Sequence, residues 1–539
     1  MTRRELLALA PAVLATAAPN KKPNVILVIS DDQGYGDISL HGNKLLQTPN
    51  MDRVAREGVR YDNFHVNPVC SPTRASLMTG RHYYRTGVVD TYLGRSMMWA
   101  DEVTLPEVLR KAGYRTGHFG KWHLGDHYPL RPMEQGFEVS VSHHGGGIGQ
   151  PSDIPGGDHY FDATLYRNGV KFKSKGYCTD VFFDEALDFI GKNKDKPFFV
   201  YLPTNAPHDP LEVDPKFVEP FQGKVDDRSA KVYGMVANLD QNLGRLIAKL
   251  DELKIADNTI LIFMTDNGPQ WARYNAGMRG LKGTVYEGGI RVPFFVRWPA
   301  KIKPGQVDTR LAAHIDFFPT IVNACGVPLP KGVKLDGRDI MGNDRSDRTI
   351  CIQWHRGDRG RAFQNCCAIN SQYKLVNGKE LYDLKADPAE ATDIAAQHPE
   401  IVAKMRKEYE DWFRDVEGTR NFKLPYIWLG DPHESTVLLS RQDWRGPQAG
   451  WGPNDIGYWD VDVRNPGRYE LNVLFGRAAE AGETLQASLN GVAATVKLDA
   501  GAKSAKVVFD KPIPKGEGRL EASLAPKGGV TYVEVSRKR

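Results

Sequence analysis

Four stretches of this chain carry groups whose types and spacing suit chemistry. Asp31 and Asp32 come directly after the apolar run Asn24–Ser30. Asp266, Asn267 and Gly268 follow the run from Thr259 to Met264, and Pro207-His208 comes shortly after Phe198 to Leu202. In open α/β sheets, ligands bind beyond the carboxyl ends of the strands. An Asp after a strand is ordinarily a turn or a helix cap; three such runs delivering polar groups to one edge point to a site. Neighbouring carboxylates in a partly buried cleft repel unless a cation neutralises them. Oxygen ligands, with the Asn267 amide among them, suit a hard ion such as calcium, with magnesium second. The alternative is that these acids pair with arginines at the surface.

The fourth stretch holds Cys70, in Pro68-Val69-Cys70-Ser71-Pro72-Thr73-Arg74-Ala75-Ser76-Leu77-Met78-Thr79-Gly80-Arg81. A lone cysteine is usually a small buried hydrophobe. A thiolate is also a poor match for a hard ion held by carboxylates. This segment resembles the signature of the type I, formylglycine-dependent sulfatases, arylsulfatase-like enzymes of the alkaline phosphatase superfamily. The Cys-x-Pro-x-Arg cysteine of that family is oxidised to formylglycine by a maturation enzyme. The likeness continues through Gly80 and returns in Gly113-Tyr114-Arg115-Thr116-Gly117-His118-Phe119-Gly120-Lys121-Trp122-His123-Leu124-Gly125. It also covers Asp266-Asn267-Gly268, Gly280-Leu281-Lys282-Gly283, the segment from Glu287 to Pro293, and Leu381-Tyr382-Asp383-Leu384. It spans roughly residues 23 to 425, and Thr73 stands where many members carry Ser.

The resemblance implies an alkaline-phosphatase-like fold and hydrolysis of sulfate esters, through a calcium-bound formylglycine hydrate derived from Cys70. Asp31, Asp32, Asp266 and Asn267 are then the calcium ligands, and modified Cys70 supplies a further oxygen. Arg74 holds the hydrate, Lys121 and Lys282 contact sulfate oxygens, His123 steers the hydrate, and His208 protonates the leaving alkoxide. Elementary chemistry agrees: charge spreads over sulfate oxygens as the S–O bond breaks, so fixed cations stabilise the transition state. Histidines suit proton transfer near neutral pH. The implied partners are a sulfated small molecule or saccharide and the formylglycine-generating enzyme. The runner-up is a phosphate or phosphonate ester hydrolase of the same superfamily. A third reading is a carbohydrate-binding protein with an inactive catalytic domain.

These groups need a scaffold, and the apolar patterning supplies one. Apolar runs at Asn24–Ser30, Phe198 to Leu202, Thr259 to Met264 and Phe294 to Val296 alternate with helix signals. This pattern predicts a mostly parallel sheet covered by helices on both faces. Thr48-Pro49 opens a helix ending near Gly58, Thr104 and Glu107 form a capping box, and Thr179 caps a helix running to Ile190. Val232, Val236, Leu239, Leu243, Leu246, Leu250 and Leu253 draw one stripe along the longest helix. From residue 341 to 428 the mixed pattern, with a helix from Pro399 to Trp412, reads as a small α+β subdomain. From 429 to 539, period-two alternation and the Asn490-Gly491 turn predict an appended antiparallel β-sandwich. Trp444, Trp451 and Trp459 lie at its start, with core packing as the ordinary role and stacking on sugar as the alternative. His143, His144 and the glycines after them read as a loop lining a substrate subsite.

The bulk properties narrow the class further. With 539 residues, 41% hydrophobic and 25% charged, the composition is that of a globular protein. A net charge of +5 without a long basic block gives no signal for nucleic acid. Thr2-Arg3-Arg4 before the apolar run Leu6 to Ala15 and the small residues Ala15-Thr16-Ala17 resembles a twin-arginine export signal over residues 1–18. The expected location is therefore the bacterial periplasm or the extracellular space, with no stable membrane anchor. The catalytic domain is expected over residues 19–340. The six cysteines show no C-x-x-C metal spacing, and most read as core thiols.

Overall fold

The structure is a computed structural model that describes residues 22–153, 155, 159–344, 346–526 and 528–538. The expected export signal lies outside the described residues. Among them, no helix is long and apolar enough to cross a membrane.

The centre is a ten-stranded sheet. Its middle strands lie in the order Phe294–Arg297, Thr259–Thr265, Asn24–Ser30, Phe198–Pro203, Arg115–Lys121, Val139–His143. All these neighbours pair in parallel except Phe294–Arg297, which runs antiparallel to Thr259–Thr265. Asn24–Ser30 is buried along its whole length. Its alternate side chains face opposite ways, so Val25, Leu27 and Ile29 enter one core and Ile26 and Val28 the other. A strand covered on both faces must be apolar throughout, and each such side chain contributes about 1.5–3 kcal/mol on burial.

The helix Asp227–Glu252 lays its predicted stripe on one face of this sheet, with Val232, Val236, Leu239, Leu243, Leu246 and Leu250 all buried. The Asp226 side chain caps it by accepting from the Ser229 amide at 3.0 Å. The capping box forms as expected: the Thr104 amide donates to Glu107 Oε2 at 2.9 Å. Two helix ends differ from expectation. The helix Cys178–Asn193 has Tyr177, not Thr179, at its N-cap. The helix Pro399–Arg420 continues two turns beyond Trp412, because Val416 finds a core position, and it stops where Asn421 turns left-handed (φ 49°).

That helix packs on a four-stranded antiparallel sheet made of Ile350–Gln353, Cys366–Ile369, Tyr373–Val376 and Glu380–Asp383. Beyond it, a five-stranded and a four-stranded sheet share one core of residues such as Val461, Leu485, Leu471 and Val533. They are antiparallel apart from Ile427–Leu429, which runs parallel to Tyr458–Val463. Asn490 and Gly491 both have positive φ (46° and 82°) between Thr484–Leu489 and Val492–Lys497, as a tight hairpin turn requires. All six cysteines are buried and none forms a disulfide.

Candidate active site

The carboxyl ends of Asn24–Ser30 and Thr259–Thr265 are adjacent, since Ser30 pairs with Thr265. Asp31, Asp32, Asp266 and Asn267 therefore emerge side by side, all buried. The Asp32 amide donates to Asp266 Oδ1 at 3.2 Å, and Asn267 Nδ2 donates to Asp32 Oδ1 at 2.8 Å. Gly268 is obligatory after them: a Cβ there would lie 1.9 Å from the Gly288 carbonyl.

Cys70 opens the helix Cys70–Thr79, whose ten residues are all buried. Pro72 is tolerated because it falls in the first turn, where no intrahelical donor is lost. Arg74 lies one turn after Cys70 on the same face. Its Nη2 and Nε donate to Asp266 Oδ2 at 2.7 and 3.2 Å, and its Nη1 to the Lys121 carbonyl at 3.1 Å. Cys70 Sγ lies 3.6 Å from Asp31 Oδ1. Burial pushes the Cys70 thiol up to about 12 although Lys121 and Lys282 oppose it. As encoded, the residue is a protonated thiol at neutral pH, not an activated thiolate.

Lys121 ends the strand Arg115–Lys121 and donates from Nζ to Asp31 Oδ2 at 2.6 Å. Gly120 before it (φ 133°) lets the chain pass the neighbouring strand, for a Cβ would meet the Pro203 carbonyl at 1.9 Å. Lys282 Nζ donates to Asp32 at 2.6–2.7 Å. Burial pushes the Asp32 carboxyl up, but Lys282 and His208 outweigh it and hold it well below the usual carboxylate range. The Asp266 carboxyl is instead pushed up to about 6, by burial and then by Asp31.

His208 Nδ1 donates to the Asp209 carbonyl at 2.8 Å, leaving Nε2 3.7 Å from Asp32 Oδ2. Burial pushes this imidazole down to about 4, against the pull of Asp32. His123 Nε2 donates to the Thr91 carbonyl at 2.7 Å, and its buried Nδ1 has no partner among the described residues. Burial, then Lys121, pushes its pKa well down. Cys70, His123, His208 and Lys282 all open on one cleft of about 490 Å³.

All ten residues singled out from the sequence thus belong to one constellation. The acids fit a hard divalent cation, and Cys70 sits beside them: ligand atoms of Asp31, Asp32 and Cys70 lie within 4.8 Å of one another. The clearest sign is Asn267 Oδ1, buried and without a hydrogen-bond partner among the described residues. An orphaned acceptor beside a carboxyl that burial and the neighbouring acids push up is what a bound cation would satisfy. Of the expected loop residues, His143 instead ends a strand and accepts from Asn205 Nδ2 at 2.8 Å, while His144 stacks on Tyr166 at 3.9 Å. The following Gly146 and Gln150 reach the cleft. Sequence reasoning missed Thr91, Tyr92, Trp354 and Arg356, which also line it. These four sit in irregular segments, and no motif marks them.

Comparison with known proteins agrees with this geometry. Residues 23–327 match the family model described as "Sulfatase", and residues 281–415 match "N-sulphoglucosamine sulphohydrolase, C-terminal". An N-acetylgalactosamine-6-sulfatase of Canis lupus familiaris is 32% identical over 387 residues, 66% of this chain and 72% of that one. An N-acetylgalactosamine-6-O-sulfatase of Bacteroides thetaiotaomicron is 29% identical over 72% of this chain and 93% of that one. The crystal structure of Ps i-CgsB in complex with k-i-k-neocarrahexaose superposes with a TM-score of 0.66 at 29% identity, covering 73% of this chain and 93% of that one.

Proposed function

This chain belongs to the sulfatase family of the alkaline phosphatase superfamily and is a sulfuric ester hydrolase, and from that premise we propose that it removes sulfate from carbohydrates, using formylglycine made from Cys70 and a calcium ion. The observation that carries the reading is the gathering of Cys70, Lys121, Lys282 and the side-chain oxygens of Asp31, Asp32, Asp266 and Asn267 beside a cleft that Cys70, His123, His208 and Lys282 line. The saccharide class is supported by the relatives, two of which are named for a sulfated amino sugar.

In this reading Lys121 and Lys282 turn from Asp31 and Asp32 to the sulfate oxygens and stabilise the charge that builds there. Arg74 stays fixed on Asp266 and the Lys121 carbonyl, so it positions both a ligand and a lysine. His208 holds the proton at Nε2 for the departing oxygen, because Nδ1 is committed to the Asp209 carbonyl. An arriving anion favours the protonated ring, opposing the burial that otherwise keeps it neutral. His123, with Nε2 tied to Thr91, turns Nδ1 to the nucleophile. Calcium bound by Asp31, Asp32, Asp266 and Asn267 would supply Lewis-acid stabilisation of oxygen charge, and the hydrated aldehyde an oxygen nucleophile with a second hydroxyl through which sulfate is shed. The reading includes export through the N-terminal signal and maturation by a formylglycine-generating enzyme.

Parallel assays on an aryl sulfate and the matching aryl phosphate, before and after chelation, test it. Sulfate hydrolysis should dominate, vanish with a calcium chelator and return with calcium. A faster phosphate reaction, or full activity after exhaustive chelation, would overturn it.

A further inference from the structure

Neither family model reaches past residue 415, yet the sandwich beyond it closes on the catalytic cleft. Trp451, from the loop between the sandwich strands Thr436–Leu439 and Tyr458–Val463, is one of the cleft's lining residues together with Cys70 and Lys282. Three tryptophans cluster in this stretch, and the structure separates them. Trp444 and Trp459 are wholly buried in the sandwich core. Trp451 instead meets the Tyr92 ring edge-on at 5.3 Å. The Arg356 guanidinium lies 4.6 Å from the Tyr92 ring and 4.9 Å from that of Trp354, and Asp90 pins it with two contacts at 3.1 Å. The result is a braced aromatic wall above the nucleophile. The indole N–H of Trp451 is buried, so what the wall offers the cleft is its aromatic surface.

The sandwich is fastened at the point where this matters. Gln442 Nε2 donates to the Thr91 carbonyl and to Ser96 Oγ, both at 2.8 Å, and the Gly94 amide donates to the Gln442 carbonyl at 2.8 Å. That Thr91 carbonyl is the one that holds His123. Leu93 and Met97 of the same loop are buried in the sandwich's own core. The loop carrying Tyr92 is therefore shared between the catalytic domain and the sandwich.

We infer that the C-terminal sandwich is part of the substrate site, and that Trp451 with Tyr92 forms a stacking subsite for the sugar ring of an O-sulfated saccharide. A pyranose presents one apolar face of C–H groups, which matches an aromatic face at the wall of the cleft. The inference rests on the sulfatase reading and adds the part of the chain that grips the leaving group. Trp451 acts in binding, whereas chemistry stays with the residues at the cleft floor.

The test uses the full-length matured protein, 4-nitrophenyl sulfate, and a panel of O-sulfated mono- and disaccharides. Two apolar variants are compared: Trp451→Phe retains an aromatic face and Trp451→Leu does not. Trp451→Leu should raise KM for the best saccharide five- to tenfold with kcat within threefold, while Trp451→Phe stays within about twofold of wild type in KM. A Trp451→Leu variant with unchanged thermal transition and saccharide KM within twofold of wild type overturns the inference. So does a wild-type enzyme that cleaves the aryl sulfate but no saccharide, or a Phe variant as impaired as Leu. Failure of wild type on every sulfate ester would instead defeat the underlying sulfatase reading, and the subsite with it.

Discussion

Arg74 is the buried hinge between the candidate metal ligands and the lysines, and replacing it by Met isolates its charge at nearly constant volume. The guanidinium is fully buried and gives Asp266 two hydrogen bonds, at 2.7 and 3.2 Å. Removing one partner of such a pair leaves the other charge uncompensated and costs about 3–5 kcal/mol. In Arg74→Met, Asp266 keeps Asp31 as a neighbour, and a carboxyl already pushed up to about 6 moves further up. A cation at the carboxylates would oppose that shift, so the loss should be largest with a chelator and smaller in saturating calcium. Scanning calorimetry of wild type, Arg74→Met and Arg74→Lys under both conditions reads this directly, with the Lys variant falling between. A loss below about 1 kcal/mol, the range of solvent-screened pairs, would refute the reasoning. Equal losses with and without calcium would remove the link to the metal.

Two further outcomes follow from packing and charge away from the cleft. Arg85 donates to Asp336 at 2.9 and 3.0 Å and also pairs with Asp415, tying the long helix Pro399–Arg420 to the catalytic domain; Arg85→Ala should destabilise by about 3 kcal/mol at pH 7. Burial works against the Asp336 carboxylate, but His82 and Arg85 hold its pKa below the usual range, so its contribution is present above the unfolded value of about 3.9 and lost as pH falls through the folded one. The wild-type-minus-variant difference in calorimetric stability should therefore narrow below about pH 4, and a difference that widens there would contradict the assignment. Trp459→Ala should cost about 3–5 kcal/mol in the sandwich's transition, because Trp459 is fully buried and its Nε1 donates to the Ser440 carbonyl at 2.7 Å; a shift under about 1 kcal/mol would show that the core tolerates the cavity.

The sequence carried the catalytic floor of the site because parallel strands make spacing informative. Asp31 and Asp266 each follow a strand with an unbroken apolar centre, and adjacent parallel strands must release both at one edge. Cys70 and Arg74 face the same way because they are four residues apart on a helix. The Asn490-Gly491 hairpin was legible for a similar local reason, since both residues accept positive φ. The cleft's wall was not legible. Tyr92, Trp354 and Arg356, and the Gln442 that fastens the Tyr92 loop, come from irregular segments that meet only when three parts of the chain dock, and periodicity says nothing about docking. The three tryptophans show the limit well: one composition signal covered two core residues and one at the cleft. Helix ends failed more modestly: the helix assigned to a Thr179 cap begins at Cys178, and the one expected to end at Trp412 runs on to Arg420, where Asn421 supplies a left-handed cap.

The most direct test of the central claim is the mass of the Cys70 peptide, measured beside turnover in protein made with and without a formylglycine-generating enzyme. The aldehyde form should appear only with that enzyme, and kcat per mole of protein should scale with the converted fraction. Cys70→Ser should lose multiple turnover even though the hydroxyl is retained. Full turnover by protein whose Cys70 is wholly an unmodified thiol, or steady wild-type rates from Cys70→Ser, would contradict the account.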